Sequence, residues 1–268
     1  MSAAEAVQRL DAQGVVLAMV SSTPPELALE LHEAGGEWIV PFWRPYLDET
    51  GRHRWFYDPR VLPAARKAMA SGRYQGIGEF HLIPGIGPAR DNAILDGLIE
   101  LAIEHDVPVS IHTEASDYRY FEPICKRYPG ARFLWAHAGG LLPGSQVDSL
   151  LNACPNVWVD LSARDPWRYI KTPITDEQGR LLPEWEATIR NHPDRFMTGS
   201  DPVWPVEDIH NWAEADSGWE RIGEFLDFHR RWLNGLPPEL EKKIRLSNAQ
   251  RFFGNAGRAP EGGTRGNP

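Results

Sequence analysis

Two stretches of this chain, VPVSIHTE at 107–114 and RFLWAHAGG at 132–140, decide how the rest is read. Each is a short apolar run that stops at a histidine, His112 in the first and His137 in the second. Continuous apolar runs of this length mark strands covered on both faces, which is the habit of parallel sheets. Working outward, runs of the same kind recur at 15–21, 38–42, 76–80, 108–112, 132–137, 157–161 and 196–201. Helical patterns lie between them. Ile94, Leu95, Leu98, Leu101 and Ala102 share one face of an expected helix over 92–105, with a polar residue placed to cap its start.

Alternating strands and helices imply either an open doubly wound sheet or a closed barrel. Glu79, His112, His137 and Asp201 stand at or near the ends of four different runs. Barrels place their reactive side chains there, whereas an open sheet gathers function at one switch point beside a glycine-rich loop. Gly76 and Gly78 do not extend into such a loop, so the expected fold is α/β, a (β/α)8 TIM-barrel type. Only seven strands are visible. Residues 1–11 read as a helix leading straight into the first run, so the missing strand would precede Met1. An open sheet would expose two unpaired edges, and the natural protein is therefore expected to be longer. The barrel domain is expected over 1–254, and 255–268, rich in glycine, proline and polar residues, as a disordered tail.

The 268 residues, 42% hydrophobic and 24% charged, suffice for one large buried core. Against 37 acidic residues stand 28 basic ones, a formal charge of -9, which is the wrong sign for contacts with nucleic-acid phosphates. With no apolar run of about 18 residues and no signal-like start, no membrane partner is expected and the chain reads as cytoplasmic. Cys125 and Cys154 lack CxxC spacing and are read as reduced, buried thiols. Trp43, Trp55, Trp167, Trp185, Trp204 and Trp212 fall in segments read as loops, where they either line a pocket or pack the loops. Two long connections, 163–185 and 202–218, are of a length suited to a lid, a pocket wall or a surface excursion.

Imidazoles on neighbouring strands are common ligands for zinc, iron and manganese, so His112 and His137 are candidate metal ligands; the bland alternative is two independent capping histidines. Gly139 and Gly140 permit a tight turn that leaves His137 uncovered. Asp201 precedes Pro202, which favours extended backbone at Asp201. Its carboxylate would bind metal or take a proton from an activated water; otherwise it caps a helix. Glu79, as a further ligand or a carboxylate bridging two metals, and His81 are each further candidates. Strand alternation puts Glu79 and His81 on one face and Phe80 on the other. Arg164 is placed to hold a substrate carboxylate by a bidentate contact, or else makes a surface ion pair, and Trp204 is a candidate pocket wall.

The succession GEF at 78–80, HTE at 112–114, AHAGG at 136–140, GSDP at 199–202 and SNAQRFFG at 247–254 resembles the amidohydrolase superfamily. It is most similar to the amidohydrolase-related branch that includes aminocarboxymuconate semialdehyde decarboxylase and various lactonases. The resemblance spans nearly the whole folded chain and implies a distorted (β/α)8 barrel with a divalent metal ion, zinc first, manganese or iron as alternatives. It implies His112 as the metal ligand of strand five, His137 as the strand-six histidine that binds metal or polarises the substrate carbonyl, and Asp201 as ligand and base. Glu79 falls where some members place a strand-four carboxylate or a modified lysine. The family's first strand normally supplies an H-x-H pair, and no H-x-H occurs in this sequence. The expected function is a metal-dependent hydrolase acting on an ester, lactone or amide of a small molecule through metal-activated water. The alternatives are a non-oxidative decarboxylase of the same branch, or a non-catalytic barrel that has lost its metal. Homo-oligomers are possible partners.

Overall fold

The computed structural model describes residues 1–85, 87–114, 117–168, 172–204 and 217–254. The expected tail at 255–268 and Trp212 lie outside them. Among the described residues seven strands form: β1 (Ala18–Ser21), β2 (Ile39–Phe42), β3 (Ile77–Leu82), β4 (Val109–Thr113), β5 (Phe133–Trp135), β6 (Val157–Asp160) and β7 (Phe196–Met197). The helices that cover them are α1 (Ala3–Ala12), α2 (Glu26–Gly35), α3 (Gly51–Arg54), α4 (Val61–Ala70), α5 (Ala93–Glu104) and α6 (Glu122–Arg127). They continue as α7 (Gly144–Ala153), α8 (Pro183–Asn191), α9 (Ile222–Leu233), α10 (Pro238–Lys242) and α11 (Asn248–Phe253).

Local chemistry explains the boundaries. α1 starts at a capping box, in which the Ser2 amide donates to the Glu5 carboxylate at 2.6 Å and the Glu5 amide to the Ser2 hydroxyl at 3.3 Å. α5 starts where the Asn92 side chain accepts from the amides of Ile94 and Leu95 at 3.0 and 3.1 Å. Trp185 is not in a loop: it opens into α8 and is buried, as are Trp43 and Trp55, so these rings pack the core.

All strand pairs are parallel, in the order β1-β2 and β3-β4-β5-β6-β7. A bridge between Trp43 and Ile77 joins the two groups, with the Trp43 amide donating to Gly76 at 2.9 Å and the Gly78 amide to Trp43 at 2.8 Å. Neighbours in sequence are therefore neighbours in the wall, and the core side chains Phe80, Ile111, Phe133, Trp135, Val159 and Phe196 are fully buried. The fold is of the TIM-barrel type, with one break. Among the described residues no ladder links β7 to β1; Met19, Val20 and Met197 all line a cavity of about 1160 Å³. It runs on to the C-terminal ends of the strands.

At Gly78 the regular pairing of β3 is interrupted. The φ of Gly78 is +120°, and a Cβ there would sit 2.2 Å from the Ser110 carbonyl oxygen, so only glycine fits. The register slips between Ile77 and Phe80 at this point.

Cys125 and Cys154 are not separate thiols. They form a disulfide, with Cα atoms 6.0 Å apart, because α6 packs beside α7 and brings together residues 29 apart in sequence. Spacing along the chain carries no trace of that. No helix among the described residues is long and apolar enough to cross a membrane.

Candidate active site

Alternation along β3 sends Glu79 and His81 into the cleft and Phe80 into the core. β4 contributes His112 from the next position round the wall, where His81 and His112 are in register. His137 comes two residues after β5, in a left-handed turn in which His137, Ala138, Gly139 and Gly140 have φ of 54°, 50°, 72° and 68°. Asp201 follows β7 and is also left-handed, at φ 43°, contrary to the extended backbone that Pro202 favours. Strand β7 ends at Met197 because the chain leaves the ladder after the Met197 carbonyl accepts from the Leu161 amide at 2.9 Å.

Glu79 is the hub. Its Oε1 lies 2.8 Å from His112 Nδ1 and 3.4 Å from His137 Nε2, and its Oε2 lies 3.7 Å from the Arg44 guanidinium. His137 Nε2 is 3.9 Å from Asp201 Oδ2. The imidazoles stand in a row, with ring centroids 4.4 Å apart for His81 and His112 and 4.9 Å for His112 and His137. Around this row, Tyr46 Oη is 2.5 Å from His81 Nδ1, Glu114 Oε1 is 3.0 Å from His112 Nε2, and the Ser162 hydroxyl is 2.8 Å from His137 Nδ1. Ser162 in turn donates to Asp160.

Burial and pairing compete in setting the charges. Burial alone would raise the Glu79 carboxyl, but the imidazoles of His112 and His137 hold it well below its ordinary value. For His137, burial works against the charged ring, yet Asp201 and Glu79 raise it to about 10. His81 has no carboxylate that outweighs burial, and desolvation, with the neighbouring His112 and Arg44, pushes it well down. Burial raises the Tyr46 hydroxyl to about 12, so it acts as a neutral hydrogen-bonding group. The result is one ionised carboxylate and one neutral imidazole side by side, a donor set that can receive a cation.

The sequence pattern of the amidohydrolase family matches residues 3–254, nearly the entire described chain. The chain belongs to the amidohydrolase family. Solved structures agree on the fold of this amidohydrolase. An uncharacterised TIM-barrel protein from Bordetella bronchiseptica superposes with a TM-score of 0.60 at 14% identity, over 94% of this chain and 82% of that one. A probable 2-pyrone-4,6-dicarboxylic acid hydrolase from Acinetobacter baumannii, with citric acid bound, gives 0.59 at 13% identity over 94% and 89%. A zinc-bound amidohydrolase from Burkholderia multivorans gives 0.53 at 16% identity over 92% and 86%. No curated protein matches the amidohydrolase by sequence.

Of the residues singled out in the sequence, Glu79, His81, His112, His137 and Asp201 come together in this amidohydrolase, and Arg164 and Trp204 do not join them. Arg164 is fully buried and donates to the Leu142 carbonyl at 2.6 Å and to the Gly140 carbonyl, beneath the Trp185 ring at 4.5 Å. Its guanidinium is spent on tying the turn after His137 to the segment that follows β6, which corrects the expectation of a substrate contact or a surface pair. Trp204 stacks under Arg221 at 4.7 Å, and Pro202 and Val203 form the cavity wall in its place.

Sequence reasoning left out Arg44, Tyr46, Asp160 and Arg168. Arg44 and Asp160 lie at or just beyond strand ends, so the rule that found His112 could have found them. Tyr46 and Arg168 sit in irregular segments and carried no signal.

Proposed function

We propose that this amidohydrolase is a metal-dependent hydrolase of a small-molecule ester, lactone or amide, using zinc, with manganese or iron as alternatives. The observation that carries the reading is the convergence of Glu79, His81 and His112, whose ligand atoms all lie within 4.8 Å of one another. One carboxylate oxygen and two imidazole nitrogens suit zinc, iron or manganese and leave positions open for water and substrate. Tyr46 engages His81 at Nδ1, which orients the ring and leaves Nε2 for a ligand bond. Glu79, His81 and His112 would hold a divalent ion, which when bound would act as a Lewis acid and make a nearby water more acidic, with His137 and Asp201 beside it.

The chain's own groups do the rest. Asp201 accepts the proton of the attacking water, and His137, fixed by Ser162, stabilises the oxygen on which negative charge develops. Arg52 lines the same cavity, and its charge acts on Tyr46, His81 and Glu114. It takes the role of holding an anionic substrate group that Arg164 is too deeply buried to play.

The test is metal analysis of the purified chain supplied with zinc or manganese, combined with an ester, lactone and amide hydrolysis screen. About one ion per chain is expected, together with hydrolysis that falls about a hundredfold or more in Asp201→Asn while the fold is retained. A chain that takes up no metal, or undiminished turnover in Asp201→Asn, overturns the reading. Carbon dioxide release from aromatic acids without hydrolysis would assign a decarboxylase instead.

A further inference from the structure

Asp201 holds a conformation that its local sequence opposes. Its φ of 43° is left-handed, which suits glycine, and the following Pro202 disfavours helical backbone at the residue before it. Such a conformation persists only where the surroundings over-determine it. The Asp201 carbonyl accepts from the Val203 amide at 2.7 Å, and one buried side chain grips the same segment. Arg168 has no exposed side-chain surface, and its guanidinium donates to the Ser200 carbonyl at 2.7 Å and to the Asp201 carbonyl. Asp165, itself buried, accepts from Arg168 Nε at 2.7 Å, and the guanidinium lies 3.9 Å from the centre of the Phe225 ring. A buried ion pair is a poor source of net stability, so its presence calls for another reason.

We propose that Arg168 is a positioning residue for Asp201: by gripping the carbonyls of Ser200 and Asp201 it holds the strained backbone that aims the Asp201 carboxylate at His137. The planar guanidinium meets two carbonyls and one carboxylate at once, which a lysine ammonium on its flexible stem cannot reproduce. The proposal rests on the reading of Asp201 as part of a metal-binding active site, and deepens it by assigning what sets the geometry of that residue. Arg168 itself touches neither the row of histidines nor Glu79.

The test is Arg168→Lys, compared with the parent chain by crystallography without metal and by zinc calorimetry, each also in an Asp201→Asn background. Residue 201 is expected to leave the left-handed region in Arg168→Lys and to carry its carboxylate away from His137. Zinc affinity is expected to fall about tenfold or more, as outer-shell substitutions typically do. In the Asp201→Asn background the same substitution should change affinity less than about twofold, because the group it positions is already altered. If residue 201 keeps its positive φ and its place beside His137, or if affinity falls equally in both backgrounds, the proposal is overturned. A parent chain that binds no zinc refutes the metal reading, and the metal-free crystal comparison still decides the role of Arg168. Should Arg168→Lys fail to fold, Asp165→Asn, which loosens the guanidinium from its carboxylate, makes the same comparison.

Discussion

Keeping His229 neutral in the folded chain should cost this protein stability at mildly acid pH, and the size of the effect follows from where the ring sits. His229 is 3% exposed on α9, where Nδ1 accepts from the Trp232 indole at 3.2 Å and the ring hydrogen-bonds the Gly199 backbone, two residues before Asp201. Burial, helped by the nearby charge of Arg168, pushes its pKa from 6.5 to about 3. A base whose folded pKa is depressed stays neutral in the native state while the unfolded chain takes up a proton. Stability is therefore lost as pH falls below the unfolded pKa, by about 1.4 kcal/mol per pH unit. At about pH 5, roughly 1.5 pH units below the unfolded value, the loss is about 2 kcal/mol relative to neutral pH. Other groups act in the opposite sense: His112 and His137 are raised, so their contribution is full at acid pH and fades as pH rises. The clean measurement is thus a difference. Urea unfolding of the parent chain and of His229→Gln, which can keep both hydrogen bonds without titrating, would be compared at about pH 7 and about pH 5. The parent should lose about 2 kcal/mol more than the variant between the two. Equal pH dependence in both proteins would refute the reasoning.

Two further substitutions probe the frame of the site. Gly78→Ala forces a methyl group 2.2 Å from the Ser110 carbonyl at a φ of +120°, and should lower stability by about 3 kcal/mol or more, measured by thermal melting. An unaltered melting temperature would show that β3 accommodates a side chain there. Arg164→Met leaves the buried carbonyls of Gly140 and Leu142 without their donor, at about 1–3 kcal/mol each, partly offset because a cation is no longer desolvated. A net loss of about 2 kcal/mol is expected, with the KM for any carboxylate-bearing substrate unchanged. A rise in KM without loss of stability would restore Arg164 to the substrate site.

How far the sequence reads can be judged from particular residues. The seven apolar runs and the helices between them were legible because a parallel wall covered on both faces demands continuous hydrophobic strands, and that demand is local. His112, Glu79 and the partition of Glu79 and His81 from Phe80 were legible for the same reason, since alternation with period two is a property of the strand itself. The Asn92 cap was legible because its hydrogen bonds reach only two and three residues along the chain. What depends on separations of tens of residues was not. The Cys125–Cys154 bond requires α6 and α7 to lie side by side, the Tyr46–His81 contact joins segments 35 residues apart, and Arg164 is spent on carbonyls 22 and 24 residues before it. Asp201 is the sharpest case. Its carboxylate and its place after the β7 run are read from sequence alone, and the neighbouring proline predicts the wrong backbone for it. Only the packing of Arg168 against Phe225 and Asp165 brings a guanidinium to the Ser200 and Asp201 carbonyls. Residue type and period set the wall and the kinds of group at its rim, and tertiary packing decided their aim, because direction depends on partners that no local pattern encodes.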